Sequence, residues 1–102
     1  MKQHAYEVTL KHIADAQGNP STYTDILSFN SYNHDDIFNV LQVIQNSQML
    51  DDEAAKSFAV GLKLFSEVML EHKNFPLFND FIPHFGQFMK TLKQTVKTPS
   101  QS

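Results

Sequence analysis

The chain has 102 residues, of which 41% are hydrophobic and 19% are charged, and its formal net charge is −3. This length and composition predict one globular domain with one core. The lack of cysteine excludes disulfides, zinc–thiolate sites, iron–sulfur clusters and a thiol nucleophile. The lack of arginine, together with the negative net charge, argues against nucleic-acid binding.

The N-terminal segment has no apolar run after Lys2, so no secretory signal is visible. No apolar stretch approaches the roughly 20 residues that a membrane-spanning helix needs. We therefore expect a cytoplasmic protein without a membrane partner. The domain is expected to cover residues 1–97, with a flexible C-terminal tail at 98–102.

Two N-terminal stretches alternate between apolar and polar residues, which is the period of a half-buried strand. The first stretch, 3–13, places Tyr6, Val8 and Leu10 on one face. The second, 22–31, places Ile26 on one face and another apolar set on the opposite face: Tyr23, Leu27 and Phe29. A segment rich in turn residues separates them, so the pattern predicts an antiparallel β-hairpin with a long loop.

A first helix is predicted from Asn33 to about Ser47. Asn33 is a suitable N-cap, because its side-chain oxygen can accept from a free amide of the first turn. Asp35 and Asp36 would then lie near the positive end of the helix dipole.

A second helix is predicted from about Leu50 to Lys73, and its apolar arc is unusually wide. Gly61 lies in its middle, which suggests the close approach of another backbone. The central apolar ridge is expected to be Phe58, Leu62, Phe65 and Met69. The solvent-facing side is expected to be Lys56, Lys63, Glu67 and Glu71.

A third helix is predicted to begin near Pro83, which is tolerated in a first turn. One short helical turn is expected before it, at 77–82. The third helix carries a narrow apolar stripe, typical of a peripheral helix. The fold class is therefore α+β, an N-terminal antiparallel β-hairpin followed by three α-helices with the second helix central.

This arrangement has more apolar surface than one copy can bury. A two-stranded hairpin alone is marginally stable and leaves strand edges exposed. We expect a homodimer, formed either through helix faces or by joining hairpins into a larger sheet. The alternative is a compact monomer whose hairpin curls over the helices.

Few residues suggest chemistry. His34, Asp35 and Asp36 form a compact polar cluster that could bind a ligand or a cation. The simpler interpretation is that the acids stabilise a helix start and that His34 is exposed. Five phenylalanines could line a pocket, although such a series more often forms core or interface: Phe75, Phe78, Phe81, Phe85 and Phe88.

Two sequence blocks, 33–38 (NHDDIF) and 61–70 (GLKLFSEVML), resemble a family of small bacterial proteins known only as a domain of unknown function. The resemblance spans about Tyr6 to Lys93. It implies a bacterial, cytoplasmic, single-domain protein, and it brings no established activity, catalytic residue, metal or cofactor.

The sequence therefore favours a small non-enzymatic interaction module that forms a homodimer and can bind a protein partner. The second hypothesis is a small-ligand- or metal-binding protein, or an enzyme, with its site at the start of helix one. That site would use His34, Asp35 and Asp36.

Overall fold

The computed structural model describes residues 2–97. The chain separates into two compact units, one ending at His34 and the other beginning at Asp35. The first unit is a β-hairpin and the second is helical, so the α+β class predicted from the sequence is confirmed. The predicted tail, 98–102, lies outside the described residues.

The hairpin consists of β1 (His4–Leu10) and β2 (Leu27–Asn33), which pair antiparallel. The register sets Val8 opposite Phe29 and Leu10 opposite Leu27, which places these apolar side chains on one face. Both strands differ from their predicted bounds. The ladder stops at the Leu10–Leu27 pair, so the alternating residues beyond it belong to the loop.

The hairpin loop is organised by Asp15. Its carboxylate accepts hydrogen bonds from the amides of Gln17 and Asn19, at 3.0 and 2.9 Å. Gly18 has a φ of 91°, a left-handed conformation that glycine adopts without steric cost. A bridge between Ala14 and Pro20 closes the loop.

The first helix, α1, covers Ile37–Ser47 and therefore begins later than predicted. Asn33 is not its N-cap, because it is the last residue of β2, pairs with His4 in the ladder and is 1% exposed. Asp36 is the N-cap instead. The helix ends at Ser47, and its C-cap, Gln48, has a left-handed φ of 62°.

The second helix, α2, covers Asp52–Glu71 and is the longest. Asp51 caps it, since its carboxylate accepts from the Ala54 amide at 2.7 Å. Asp52 and Glu53 follow in the first turn, where negative charge suits the dipole.

The buried face of α2 is centred on small side chains rather than on the predicted phenylalanine ridge. Ala55 and Ala59 are fully buried and cluster with Ile44 of α1. Small side chains let two helices approach closely, which explains why this side of α2 meets α1. Met69 is also fully buried, but Phe65 is 45% exposed, so its predicted place in the core was wrong.

The predicted solvent-facing side of α2 was wrong in part. Glu67 is 8% exposed, and the Lys63 side chain is 14% exposed. Gly61 was also misread, because it is exposed and a Cβ built on it would meet no atom within 4 Å. Within the described part of the chain, no close backbone approach accounts for this glycine.

Two helices follow α2, since the short helical turn expected at 77–82 is a separate helix ahead of the predicted third one. A short helix, α3, covers Pro76–Asn79, and α4 covers Ile82–Lys97. Pro76 occupies the first turn of α3, where its missing N–H costs nothing. α1 packs against both α2 and α4, and α2 supplies five of the ten buried side chains among residues 2–97. Among residues 2–97, no helix is both long and apolar enough to cross a bilayer.

Candidate functional site: an exposed aromatic surface

The carboxylate of Asp36 is used by the fold. It accepts hydrogen bonds from the amides of Phe38 and Asn39, at 3.0 and 3.3 Å, and so caps α1. These amides are among the first-turn N–H groups that have no partner inside the helix. Asp36 therefore acts as a helix cap.

The carboxylate of Asp35 pairs with a lysine from the middle of α2. Lys63 Nζ donates to Asp35 Oδ2 at 2.6 Å, with side-chain exposures of 14% and 41%. A charge-assisted hydrogen bond between partly buried groups fixes the start of α1 against α2. Sequence analysis missed this pair, because Lys63 was placed on the solvent-facing side.

His34 belongs to the hairpin unit. It lines a small cleft of about 200 Å³ with Lys2, Gln3 and His4. Within residues 2–97, no three His, Asp or Glu side chains are grouped so as to hold a metal ion. The predicted cluster of His34, Asp35 and Asp36 is thus not such a group, and its two acids have the structural contacts described above.

The loop end of the hairpin holds a second histidine contact. His12 Nδ1 and the Ser21 hydroxyl are hydrogen-bonded at 2.5 Å, and the His12 ring meets the edge of Tyr23 at 5.1 Å between centroids. His12 and Tyr23 border an open depression of about 710 Å³ that is mainly apolar, with Leu10 and Ile13 on its wall. The hairpin therefore exposes apolar surface at its far end.

A second exposed surface is built around Phe65 of α2. The centroid of its ring lies 6.4 Å from that of Phe78 in α3 and 6.5 Å from that of Phe85 in α4. It lies 6.2 Å from that of Phe81, the residue before α4. These distances are those of favourable aromatic pairs. We use the term aromatic surface for Phe65, Phe75, Phe78, Phe81, Phe85 and Phe88.

The local sequence explains this arrangement. Pro76 starts the short helix α3 and fixes the turn that brings Phe75 within 5.7 Å of Phe78. Phe81 directly precedes α4, and its carbonyl accepts a hydrogen bond from the Phe85 amide. Phe85 contacts both Phe81, four residues before it, and Phe88, three residues after it, with ring centroids 6.3 Å apart. Four of the rings lie on helices, whereas Phe75 directly precedes α3 and Phe81 directly precedes α4.

Most of the aromatic surface is accessible. Phe75 is 55% exposed, Phe65 and Phe88 are 45% exposed, and Phe81 is 41% exposed. Leu77 of α3, which precedes Phe78 in the sequence, is 68% exposed. Rings that contact one another while remaining open to solvent form an exposed apolar surface rather than a closed core.

A nearby cleft is too small for an ordinary small-molecule site. It lies between α1, α2 and α4 and has a volume of about 180 Å³. Ligand pockets usually measure about 300–1,000 Å³. Its wall is mainly aliphatic: Val40, Val43, Leu62, Met89, Leu92 and Val96.

These features first define a class, a β-hairpin followed by helices that present an exposed aromatic surface. Residues 4–94 match the model of DUF3861, described as a domain of unknown function with a solved structure. Because this match spans most of the chain, the protein belongs to that family. The expected membership of an uncharacterised family is confirmed, while the role of blocks 33–38 and 61–70 as its markers stays a prediction.

The chain is also similar to a protein of unknown function from Pectobacterium atrosepticum, known from a crystal structure. The two share 34% sequence identity with a TM-score of 0.77, over 91% of this chain and 99% of the other. None of the curated proteins compared with the chain matches it.

Proposed function

We propose that this protein is a small non-enzymatic interaction module that works as a homodimer and offers its aromatic surface to a protein partner. The observation that carries this proposal is the exposure of apolar side chains. Among residues 2–97, 17 large apolar side chains are between 39% and 78% exposed, whereas six hydrophobic residues are buried. Contiguous exposed apolar surface marks sites of protein association.

The exposed groups occur in both units, which supports self-association together with a second contact. In the hairpin, Leu10, Leu27 and Phe29 are 64%, 57% and 43% exposed on one face of the sheet. In the helical unit the exposed groups include the aromatic surface. Exposed apolar surface in each unit favours one contact between copies and another with a different protein.

The non-enzymatic character is supported by the use of the acids at the start of α1. Asp36 caps the helix and Asp35 pairs with Lys63. A ligand or metal site there would compete with both contacts. The alternative, a ligand- or metal-binding protein or an enzyme using His34, is therefore less favoured. A bacterial, cytoplasmic setting is part of the proposal, and the similar Pectobacterium protein supports the bacterial source.

The homodimer is tested by light scattering on the purified protein at micromolar concentration. The expected mass is twice the 11.7 kDa of one chain. A mass of one chain would refute the dimer. Calorimetric titration with Zn²⁺ and Mg²⁺ tests the alternative, because stoichiometric binding that is lost in His34→Ala would favour a metal site.

A further inference from the structure

The sheet has two edges that differ in charge. Within residues 2–97 it contains two strands, so each strand has one side that no other strand covers. Alternate main-chain N–H and C=O groups point outward from such an edge. β1 carries Glu7 at its centre, whereas Leu27–Asn33 of β2 includes no charged residue and no proline. Charged residues and proline on an edge strand discourage strand pairing, and the β2 strand carries neither.

We propose that the outer edge of β2 binds the β2 edge of a second copy, so that two hairpins form one four-stranded antiparallel sheet. The strand order is β1–β2–β2–β1. This inference rests on the proposed homodimer and names its interface. We use the term seam for the contact between the two β2 strands. Its bonds are main-chain hydrogen bonds of the kind that join any antiparallel pair of strands.

The charge pattern selects this pairing over the two others. Joining β1 to β1 about its central residue would set Glu7 opposite Glu7, and like charges directly opposite are destabilising. Joining β1 to β2 is a heterologous contact that leaves free edges and can continue into a fibre. Joining β2 to β2 closes on a two-fold axis and leaves Glu7 on both outer strands.

The register follows from the symmetry. Centred on Asn30, the pairing sets Asn30 opposite Asn30 of the second copy, where the two amides can each donate and accept. Phe29 then lies opposite Ser31, and Ser28 opposite Tyr32. Residues directly opposite share a face, so Phe29 and its cross-strand neighbour Val8 contribute from both copies to one apolar face.

One substitution tests the seam while preserving the hairpin. Asn30 lies opposite Glu7 within the same hairpin. The new lysine side chain in Asn30→Lys would therefore face a carboxylate of opposite charge, which favours the hairpin. In the proposed dimer the same change sets two ammonium groups opposite each other. We expect the mass of this variant to fall from two chains to one at the concentration where the wild type is dimeric, with an unchanged circular dichroism spectrum.

The reverse charge pattern provides a rescue. The double variant Glu7→Lys/Asn30→Asp retains an attractive pair within its own hairpin and opposes two carboxylates across the seam. It should be monomeric alone. An equimolar mixture with Asn30→Lys should restore a dimer, which native mass spectrometry should identify as the mixed species. Thr9→Lys, which adds the same charge to β1, should remain dimeric.

The outcomes separate this inference from the proposed function. If the Asn30→Lys variant remains dimeric, or if the mixture stays monomeric, the β2 seam is wrong and the homodimer stands with another interface. If the wild type itself is monomeric, the homodimer and the seam are both refuted.

Discussion

Lys63 and Asp35 are 28 residues apart in sequence, and their side chains meet with Nζ 2.6 Å from Oδ2. The contact joins the start of α1 to the middle of α2 and is partly shielded from solvent. Lys63→Met should lower the free energy of unfolding by about 1 kcal/mol, because a partly buried ion pair stabilises the fold only modestly more than a surface pair does. Denaturant unfolding of Lys63→Met, Asp35→Asn and the double variant isolates the pairwise contribution.

The matched control is Lys56→Met. Lys56 pairs with Glu53 at 2.9 Å, but the side chains are 55% and 87% exposed. Such surface pairs contribute roughly 0–1 kcal/mol, so the control should change stability less than Lys63→Met does. Equal effects would show that the Lys63–Asp35 contact is not shielded in solution.

Met69 is the largest fully buried side chain of α2. Met69→Ala should destabilise the protein by about 2–5 kcal/mol, since it removes buried apolar atoms and leaves a cavity. Val68→Ala, one residue away at a side chain that is 47% exposed, should have a clearly smaller effect. Thermal unfolding of the two variants checks the orientation of α2, and similar losses would contradict it.

Gly61 and Gly18 should respond in opposite ways to alanine. Gly61 is helical and has space for a Cβ, so Gly61→Ala should stabilise the protein by about 0.5–1 kcal/mol. Gly18 also has space, but its φ of 91° strains any L side chain, so Gly18→Ala should be destabilising. Chemical denaturation compares them. If Gly61→Ala destabilises the protein, the result would support the close approach of another backbone to Gly61, as expected from the sequence.

The aromatic surface should bind a fluorescent apolar dye. The double variant Phe75→Ser/Phe81→Ser removes two rings that are 55% and 41% exposed, so dye fluorescence should fall clearly. Phe38→Ser is the control, because Phe38 is 73% exposed on α1 and lies outside the aromatic surface. If the double variant binds dye like the wild type, the surface is covered in solution.

Asp15 should titrate below its ordinary pKa. The amide of Asn19 has the largest effect and, with those of Gln17 and Gly18, lowers the pKa of this exposed carboxyl below 3.8. A group whose folded pKa is depressed stabilises the fold above the unfolded pKa, and this contribution is lost as pH falls through the folded pKa. NMR titration of the loop amides should show this low midpoint, and Asp15→Asn should abolish it.

Local sequence signals located most elements, because they depend on neighbours along the chain. Alternation identified the hairpin, the wide apolar pattern from Leu50 to Lys73 located α2, and the helical turn expected at 77–82 overlaps α3. The start of α1 was missed, since Asn33 and Asp36 are both good caps by type. Cross-strand pairing decided between them by assigning Asn33 to β2.

The sequence by itself determined the α+β class, the absence of thiol chemistry and the excess of apolar side chains. The tertiary structure decided which side of α2 is buried, because wide apolar periodicity does not specify where a neighbouring helix will pack. It also decided the partner of Lys63, since a contact across 28 residues leaves no local pattern. The phenylalanines of 75–88 were visible in the sequence, but their gathering around Phe65 depends on the packing of three helices.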